Sequence, residues 1–236
     1  MALKGDGVDD KLVNTLSFTT INWTLFFFAR LVSAQSGTYK TMASGKGPGF
    51  GFGFAWDHAD ATFRQAIYGA DETYKKAKLT STLSLNTWYA FGGMYDGTNL
   101  TAWLNGTQEA SVAAAFGSRT WTAIHGLAEY DGASNFDGAI ARLAVWDADL
   151  STGEMVALSK GAWPSVVRTA NLRTHIECVR SVVHNYGGGV VSIVSAPSVF
   201  AHPPTLHGPK RRLLYKPTIP RIYMPPGIGM GGGMRG

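Results

Sequence analysis

Glu129-Tyr130-Asp131 is the segment of this chain that comes nearest to catalysis. Residues two apart on an extended chain point the same way, so Glu129 and Asp131 would aim two carboxylates at one place. A facing pair of carboxylates, one acid and one base or nucleophile, is what cleavage of a glycosidic bond uses. A third acid at the next alternate position would strengthen the pattern, but Ala133 stands there, and Gly132 and Gly138 bracket the segment as a loop. No Gly-x-Ser-x-Gly elbow offers a nucleophile turn. The six histidines (His58, His125, His175, His184, His202, His207) contain no pair at i, i+4, so none reads as a metal ligand and each is read as structural or superficial. Cys178 is the single cysteine. It excludes an intrachain disulfide and a zinc site of cysteine spacing, and it reads as a small core residue. The chain is therefore expected to have no catalytic residues and no metal centre of the His/Cys kind.

Binding chemistry is better supplied. A sugar site uses aromatic rings laid on a sugar face, with planar amides or carboxylates at loop tips. Trp56, Trp88, Trp103 and Trp146 fall in strand-like segments and are expected inside, because a sandwich of this size needs bulky inward residues. Trp121 and Tyr130, near predicted loops, with Asp131 and Asn135, make the candidate glycan site. Two polar loops, Asp6/Asp9/Asp10 and Asp131/Asn135/Asp137, raise the question of calcium, which needs six to eight oxygens. Turn-forming aspartates bonded to their own backbone are the favoured reading.

The elements that must position these residues are strands. Along Gly49-Phe50-Gly51-Phe52-Gly53-Phe54-Ala55-Trp56 an extended chain puts every aromatic on one face. A phosphate-binding loop would need a helix directly after the glycines, and none opens there. Further strands are predicted from Thr20 to Leu31, Thr62 to Tyr68, Lys75 to Leu79, Trp88 to Tyr95, Leu100 to Leu104, Gln108 to Val112, Ala123 to Ala128, Ala139 to Trp146, Thr174 to Val179 and Val190 to Val194. Their spacing is that of a sandwich or barrel. Asp96-Gly97 and Asn105-Gly106 are tight-turn dipeptides whose two central residues favour positive φ, which makes Trp88 to Val112 a three-strand meander. One helix is expected, opened by the capping box Ser151-Thr152-Gly153-Glu154 and closed near Lys160-Gly161.

These residues also resemble a known family. Gly5-Asp6-Gly7-Val8-Asp9-Asp10, Asn86-Thr87-Trp88-Tyr89 with Tyr95-Asp96-Gly97, and Leu104-Asn105-Gly106 are similar to the opening and central hairpins of concanavalin A-like jelly rolls of the laminin-G and pentraxin type. Phe136 to Asp147, followed by Leu150-Ser151 and Glu154 to Leu158, is similar to that domain's late strand and short helix, and Leu172 to Phe200 to a weakened version of its last strands. The resemblance spans residues 1–203. It implies an all-β, two-sheet antiparallel sandwich with one short helix. It implies no single activity, since relatives include glycan-binding modules, adhesion domains, some glycanases and virion proteins of tailed bacteriophages. Relatives often hold calcium with loop carboxylates, which keeps that ion a candidate; otherwise no cofactor is implied.

Composition divides the chain in two. The 236 residues are 45% hydrophobic and 16% charged, which excludes a disordered chain. The longest apolar run, Thr24 to Ala34, is broken by Arg30, so no helical membrane span is expected. The opening MALKGDGVDD places acids where a secretory signal would place its apolar core. Residues 1–203 hold 15 Lys/Arg against 16 Asp/Glu, whereas residues 204–236 hold six Lys/Arg and no acid. Seven of the ten prolines fall in residues 203–236, so this second part reads as an extended basic arm. In the arm Lys210, Arg211, Arg212 and Arg221 alternate with Tyr215, Ile222 and Tyr223. Large apolar residues add nothing to backbone phosphate contact, so the arm is expected to dock on protein rather than on nucleic acid. The combined expectation is a non-enzymatic accessory protein of a bacteriophage particle, made in the host cytoplasm and carried on the particle surface. Its partners would be capsid or other virion proteins and sister copies. The alternative is a lectin-like module for cell-surface or environmental glycans.

Overall fold

The computed structural model describes residues 2–35, 39–68, 74–128, 134–179, 182–186, 188–194 and 198–200. Glu129, Tyr130, Asp131 and the whole of the 204–236 arm lie outside the described residues. In chain order the strands are β1 (Ala2–Asp6), β2 (Lys11–Thr20), β3 (Trp23–Leu31), β4 (Lys40–Gly47), β5 (Phe50–Asp57), β6 (Thr62–Tyr68), β7 (Tyr74–Lys78) and β8 (Trp88–Tyr95). They continue as β9 (Asn99–Leu104), β10 (Thr107–Ala113), β11 (Arg119–Gly126), β12 (Asp137–Trp146), β13 (Leu172–Val179), β14 (Val182–Asn185), β15 (Val190–Val194) and β16 (Ser198–Phe200). The first sheet runs β10-β9-β8-β3-β12-β1-β16, with β13 beside β12 and β14 beside β13; the second runs β15-β2-β11-β4-β5-β6-β7. Every strand pairing is antiparallel, so the architecture is the expected two-sheet sandwich.

Its core follows from alternation. Phe50, Phe52 and Phe54 turn inward and are buried. Phe52 lies flat on Trp23 of the first sheet, ring centroids 4.2 Å apart, and Trp121 meets Phe52 edge-on at 4.6 Å. Phe27 stacks on Phe91 at 5.4 Å and meets Phe54 at 5.9 Å. Such pairs each add about 0.5–1.5 kcal/mol beyond the apolar area they bury. A smaller apolar layer forms on the far side of the first sheet, where Met155 and Leu158 of helix α1 (Thr152–Ser159) pack with Phe26, Trp103 and Trp146. Both halves of the predicted capping box are made, Ser151 Oγ accepting from the Glu154 amide and Glu154 accepting from the Ser151 amide. The helix closes at Lys160, with Gly161 at φ 95°.

The meander β8-β9-β10 is also as expected, but its two turns differ. Asn105 and Gly106 both have positive φ. At Asp96-Gly97 only Gly97 does, and the Asp96 carboxylate instead accepts the amides of Thr98 (2.8 Å) and Asn99 (2.7 Å). A side chain there replaces the second left-handed residue. No strand is predicted from the sequence at β1, β4, β14 or β16, and of β2 only Thr20 is included, as the start of the Thr20 to Leu31 strand. Lys40-Thr41-Met42-Ala43-Ser44-Gly45-Lys46-Gly47 shows why. Small residues and glycines give it little intrinsic strand preference, and pairing with β5 and β11 on its two sides makes it a strand. Among the described residues no helix is long and apolar enough to cross a membrane.

Candidate functional site

The glycines of β5 have a second consequence. Phenylalanines that all turn inward leave Gly51, Gly53 and Ala55 on the outer face, and the register carries that bare strip sideways. Ser44 pairs with Gly53, Gly53 with Ala66, and Ala66 with Lys76. One row along, Thr41 pairs with Ala55, Ala55 with Arg64, and Arg64 with Lys78. On the other side Gly51 pairs with Tyr68 and Tyr68 with Tyr74. A strip of side chains no larger than threonine thus lies between taller ones, which is a trough by construction. It encloses about 340 Å³ and its walls include Tyr39, Tyr68, Tyr74 and Arg64.

Arg64 is the charged group of this cleft. It is 5% exposed, and its guanidinium carbon lies 4.8 Å from the Tyr39 ring centre and 4.9 Å from that of Tyr74. Two ring faces toward one cation is a favourable, partly desolvated cation–π arrangement. Its Nε stands 2.7 Å from Asp57 Oδ2, an ion pair without the angle of a good hydrogen bond. The fully buried Asp57 also takes Lys76 at 3.1 Å, and Asp60 takes Lys76 at 2.5 Å and Lys78 at 2.7 Å. Hydrogen bonds from Lys76 and Lys78 hold Asp60 well below the usual carboxylate range, and Asp60 in turn raises Lys76. Asp60 is thereby fixed as an anion and is not set up as a general acid, which needs a raised pKa.

His125 lies on the same outer face, as the register partner of Ser44 across β11 and β4. Burial, reinforced by Lys11 and Lys46, pushes it down to about 4, so it is neutral near pH 7. A larger cavity of about 520 Å³ opens where Leu31, Trp56, Phe63, Leu79 and Leu85 meet. No charged side chain lines it among the described residues, so volume alone recommends it.

The residues expected to bind glycan fare differently. Trp121 is fully buried between Phe52 and Phe50 (5.0 Å); the loop placed beside it is the interior of β11. It is a core residue, and its expected role as a stacking platform is corrected. Asn135 is 3% exposed, its Nδ2 donating to the Val8 carbonyl, so it is a strut between two loops rather than a group presented to a ligand. Tyr130 and Asp131 lie outside the described residues, as do Lys210, Arg211, Arg212, Tyr215, Arg221, Ile222 and Tyr223 of the arm. Cys178 lies in β13 as expected of a strand residue.

The two acidic loops do meet, with Asp6 and Asp137 as register partners of β1 and β12. One oxygen on each of three aspartates is engaged: Asp6 accepts from the Val8 amide (2.8 Å), Asp10 from the Asp6 amide (3.1 Å), and Asp137 from the Ser33 hydroxyl (2.5 Å). Among the described residues no three His, Cys, Asp or Glu side chains converge as metal ligands. The bonds that Asp6 and Asp10 accept are those of a turn.

The cleft residues themselves, Tyr39, Arg64, Tyr68 and Tyr74, are absent from the sequence-based candidates. The signal that would have found them is the other half of the alternation, a strand with aromatics on one face and only Gly and Ala on the other.

Against known proteins, residues 6–155 match the family model described as the concanavalin A-like lectin/glucanases superfamily. No curated protein matches. Among solved structures the chain resembles the native heptameric SAP-like pentraxin from Limulus polyphemus, with a TM-score of 0.57 and 13% identity over 84% of this chain and 96% of the pentraxin. It also resembles a putative carbohydrate binding protein from Bacteroides ovatus (TM-score 0.56, 12% identity, 84% of this chain), of which it spans 62%. A third is domain 4 of an extracellular GH43 arabinanase from Geobacillus stearothermophilus in complex with arabinotriose (TM-score 0.51, 13% identity, 60% of this chain and 68% of that one). At these identities the likeness is one of fold.

Proposed function

This chain belongs to the concanavalin A-like lectin/glucanases superfamily, and from that premise we propose that it is a non-catalytic carbohydrate-binding module whose ligand lies in the cleft over β4, β5, β6 and β7. The observation that carries the reading is the pairing of a bare floor, Gly53, Ala55 and Ala66, with the tyrosine walls Tyr39, Tyr68 and Tyr74. A pyranose or furanose ring is a flat apolar face edged with hydroxyls. It needs a shallow trough with aromatic sides and a few polar groups at the rim. The absence of catalysis is argued from the same strip: no Asp or Glu lines the cleft among the described residues, and glycosidic cleavage needs two. The likeness to a putative carbohydrate binding protein and to an arabinanase domain in complex with arabinotriose is consistent with this reading. It is tested by calorimetry of the full chain against a panel of neutral and acidic oligosaccharides. Saturable binding without product release is expected. Binding to no glycan at millimolar ligand, or release of free sugar, refutes it.

A second reading concerns where the module is carried, and it rests on the separation of charge: net −1 over residues 1–203 and six uncompensated cations after them. Under it the chain is an accessory protein of a bacteriophage particle. The arm grips capsid proteins or sister copies through Tyr215, Ile222 and Tyr223, and the sandwich faces outward to meet host or environmental glycans. Deleting residues 204–236 is then expected to abolish incorporation into particles while leaving glycan binding intact, as particle composition by mass spectrometry would report. Normal incorporation of the truncated chain refutes it.

A further inference from the structure

Resting on the glycan-binding reading of the cleft, we propose that its ligand is an acidic glycan, held by a sugar carboxylate docked on the Arg64 guanidinium. Three features of the site carry this.

The first is hydrogen-bonding capacity. A guanidinium offers five N–H donors in a fixed planar fork. Arg64 comes closest to Asp57 through Nε, at 2.7 Å, and no hydrogen bond joins its two terminal nitrogens to a described residue. The side chain is nevertheless more than nine-tenths buried, at 5% exposure. Donors at a largely desolvated site call for an acceptor, and a carboxylate is the sugar substituent whose two oxygens match the fork bidentately. The Tyr39 and Tyr74 rings, whose centres lie 4.8 and 4.9 Å from the guanidinium carbon, restrain the side chain that carries those donors. A ligand would therefore not have to order the side chain itself.

The second is charge. Asp57 is shared between Arg64 and Lys76, and Asp60 between Lys76 and Lys78. Among the described residues three cations on two carboxylates leave one positive charge unbalanced at this wall. No carboxylate on the described lining stands ready to repel an incoming anion.

The third is the division of labour on the walls. Tyr68 continues the aromatic side beyond Arg64, its hydroxyl lying over Gly51. Ring contact and carboxylate contact can thus be made by one sugar or by neighbours in a chain. A neutral glycan would satisfy the tyrosines and leave the guanidinium with hydroxyl acceptors alone, each a weaker partner than an ionised group.

The experiment uses the full chain and two forms of one polymer: oligogalacturonate and its methyl ester, which is the same backbone without charge. Sialyllactose and a sulfated oligosaccharide distinguish the source of the negative charge. A preference of about tenfold or more for the free acid over the ester is expected, shrinking as salt is raised. Arg64→Lys keeps the charge but loses the fork, and a loss of about tenfold in acid affinity is expected, larger than the loss for the ester. Removing the guanidinium beside buried Asp57 can unfold the sandwich. The acid-against-ester comparison on the unaltered chain therefore stands as the primary test, with circular dichroism reported for the variant. A preference for sialyllactose over oligogalacturonate also supports the proposal and identifies the acid. Equal affinity for acid and ester, tighter binding of the sulfated sugar than of either carboxylated one, or a folded Arg64→Lys chain that binds acid as before, overturns the proposal and leaves the glycan reading standing. Binding of no glycan at all overturns both.

Discussion

Replacing Gly53 by alanine separates the fold from the cleft. A Cβ built on Gly53 would meet Ser44 Cβ at 3.5 Å, the Ala43 carbonyl at 3.6 Å and Thr41 Cγ2 at 3.8 Å, all ordinary van der Waals separations. The residue lies inside β5, where glycine costs about 0.5–1 kcal/mol relative to alanine through the freedom it loses on folding. Gly53→Ala is therefore expected to leave the sandwich as stable as before or to raise its stability by up to about 1 kcal/mol. Gly51 gives the opposite case, since a Cβ there would collide with the hydroxyl of Tyr68. In the cleft the new methyl stands up from the floor between Ser44 and Ala66. A sugar ring resting there must withdraw or tilt. A misfit of one methyl group in a shaped site is worth about 1–3 kcal/mol, or about 10- to 200-fold in affinity. Urea unfolding followed by tryptophan fluorescence and calorimetry with the best-bound oligosaccharide measure the two effects on one preparation. Stability unchanged or higher with affinity lower by at least tenfold is the expected result, and misfolding cannot produce it. Unchanged affinity would remove the cleft from the floor of β5, and a loss of more than about 1 kcal/mol in stability would refute the geometry assigned to Gly53.

Two further predictions bear on residues around that site. His125, ordinarily near 6.5 and held down to about 4 by burial with Lys11 and Lys46 nearby, is charged more readily in the unfolded chain. Its contribution is thus fully present above about pH 6.5 and is lost as the pH falls toward 4, by about 3 kcal/mol in all. Urea midpoints measured from pH 8 to pH 4 should fall along that window, and a His125→Gln chain should show a drop smaller by about that amount; parallel curves for the two would refute it. Trp121→Ala removes a fully buried ring and is expected to cost about 3–5 kcal/mol of stability, with glycan affinity per folded molecule unchanged. A folded variant of normal stability that no longer binds sugar would return Trp121 to the site.

Much of the fold was legible because single residues carried unambiguous geometry. Alternating Phe50, Phe52 and Phe54 dictated a half-buried strand, Asn105-Gly106 a mirror-image turn, and Ser151 with Glu154 a helix start. Where a segment's state depends on its neighbours, the sequence was silent. β4 and β1 are strands because β5, β11 and β12 supply their hydrogen bonds, and nothing within Ala2–Asp6 or Lys40–Gly47 compels extension. Trp121 misled for a related reason. Its segment carries Arg119, Thr120 and Thr122 and so reads as polar, yet a strand needs only one face apolar, and Trp121 is on that face.

The cleft was less legible than the core because it is built from absences. A core announces itself by what is large, and its members can be named from one strand. A trough across four strands requires that Ser44, Gly53 and Ala66 line up, which is a property of register, and register depends on bulges such as the one between Thr41 and Ala43. A slip of one residue would turn Phe52 and Phe54 into the trough and put Gly53 in the core. The apolar demand of the interior therefore fixes the emptiness of the outer face. Arg64 follows from the same constraint. On β6 the inward positions Phe63, Gln65 and Ile67 are buried, which forces Arg64 outward among Tyr39, Tyr74 and Asp57. Nothing in the string Thr62-Phe63-Arg64-Gln65 marks that arginine as different from the chain's other cations. Its buried position follows from β5 and β7, which flank it, and from Tyr39 just ahead of β4.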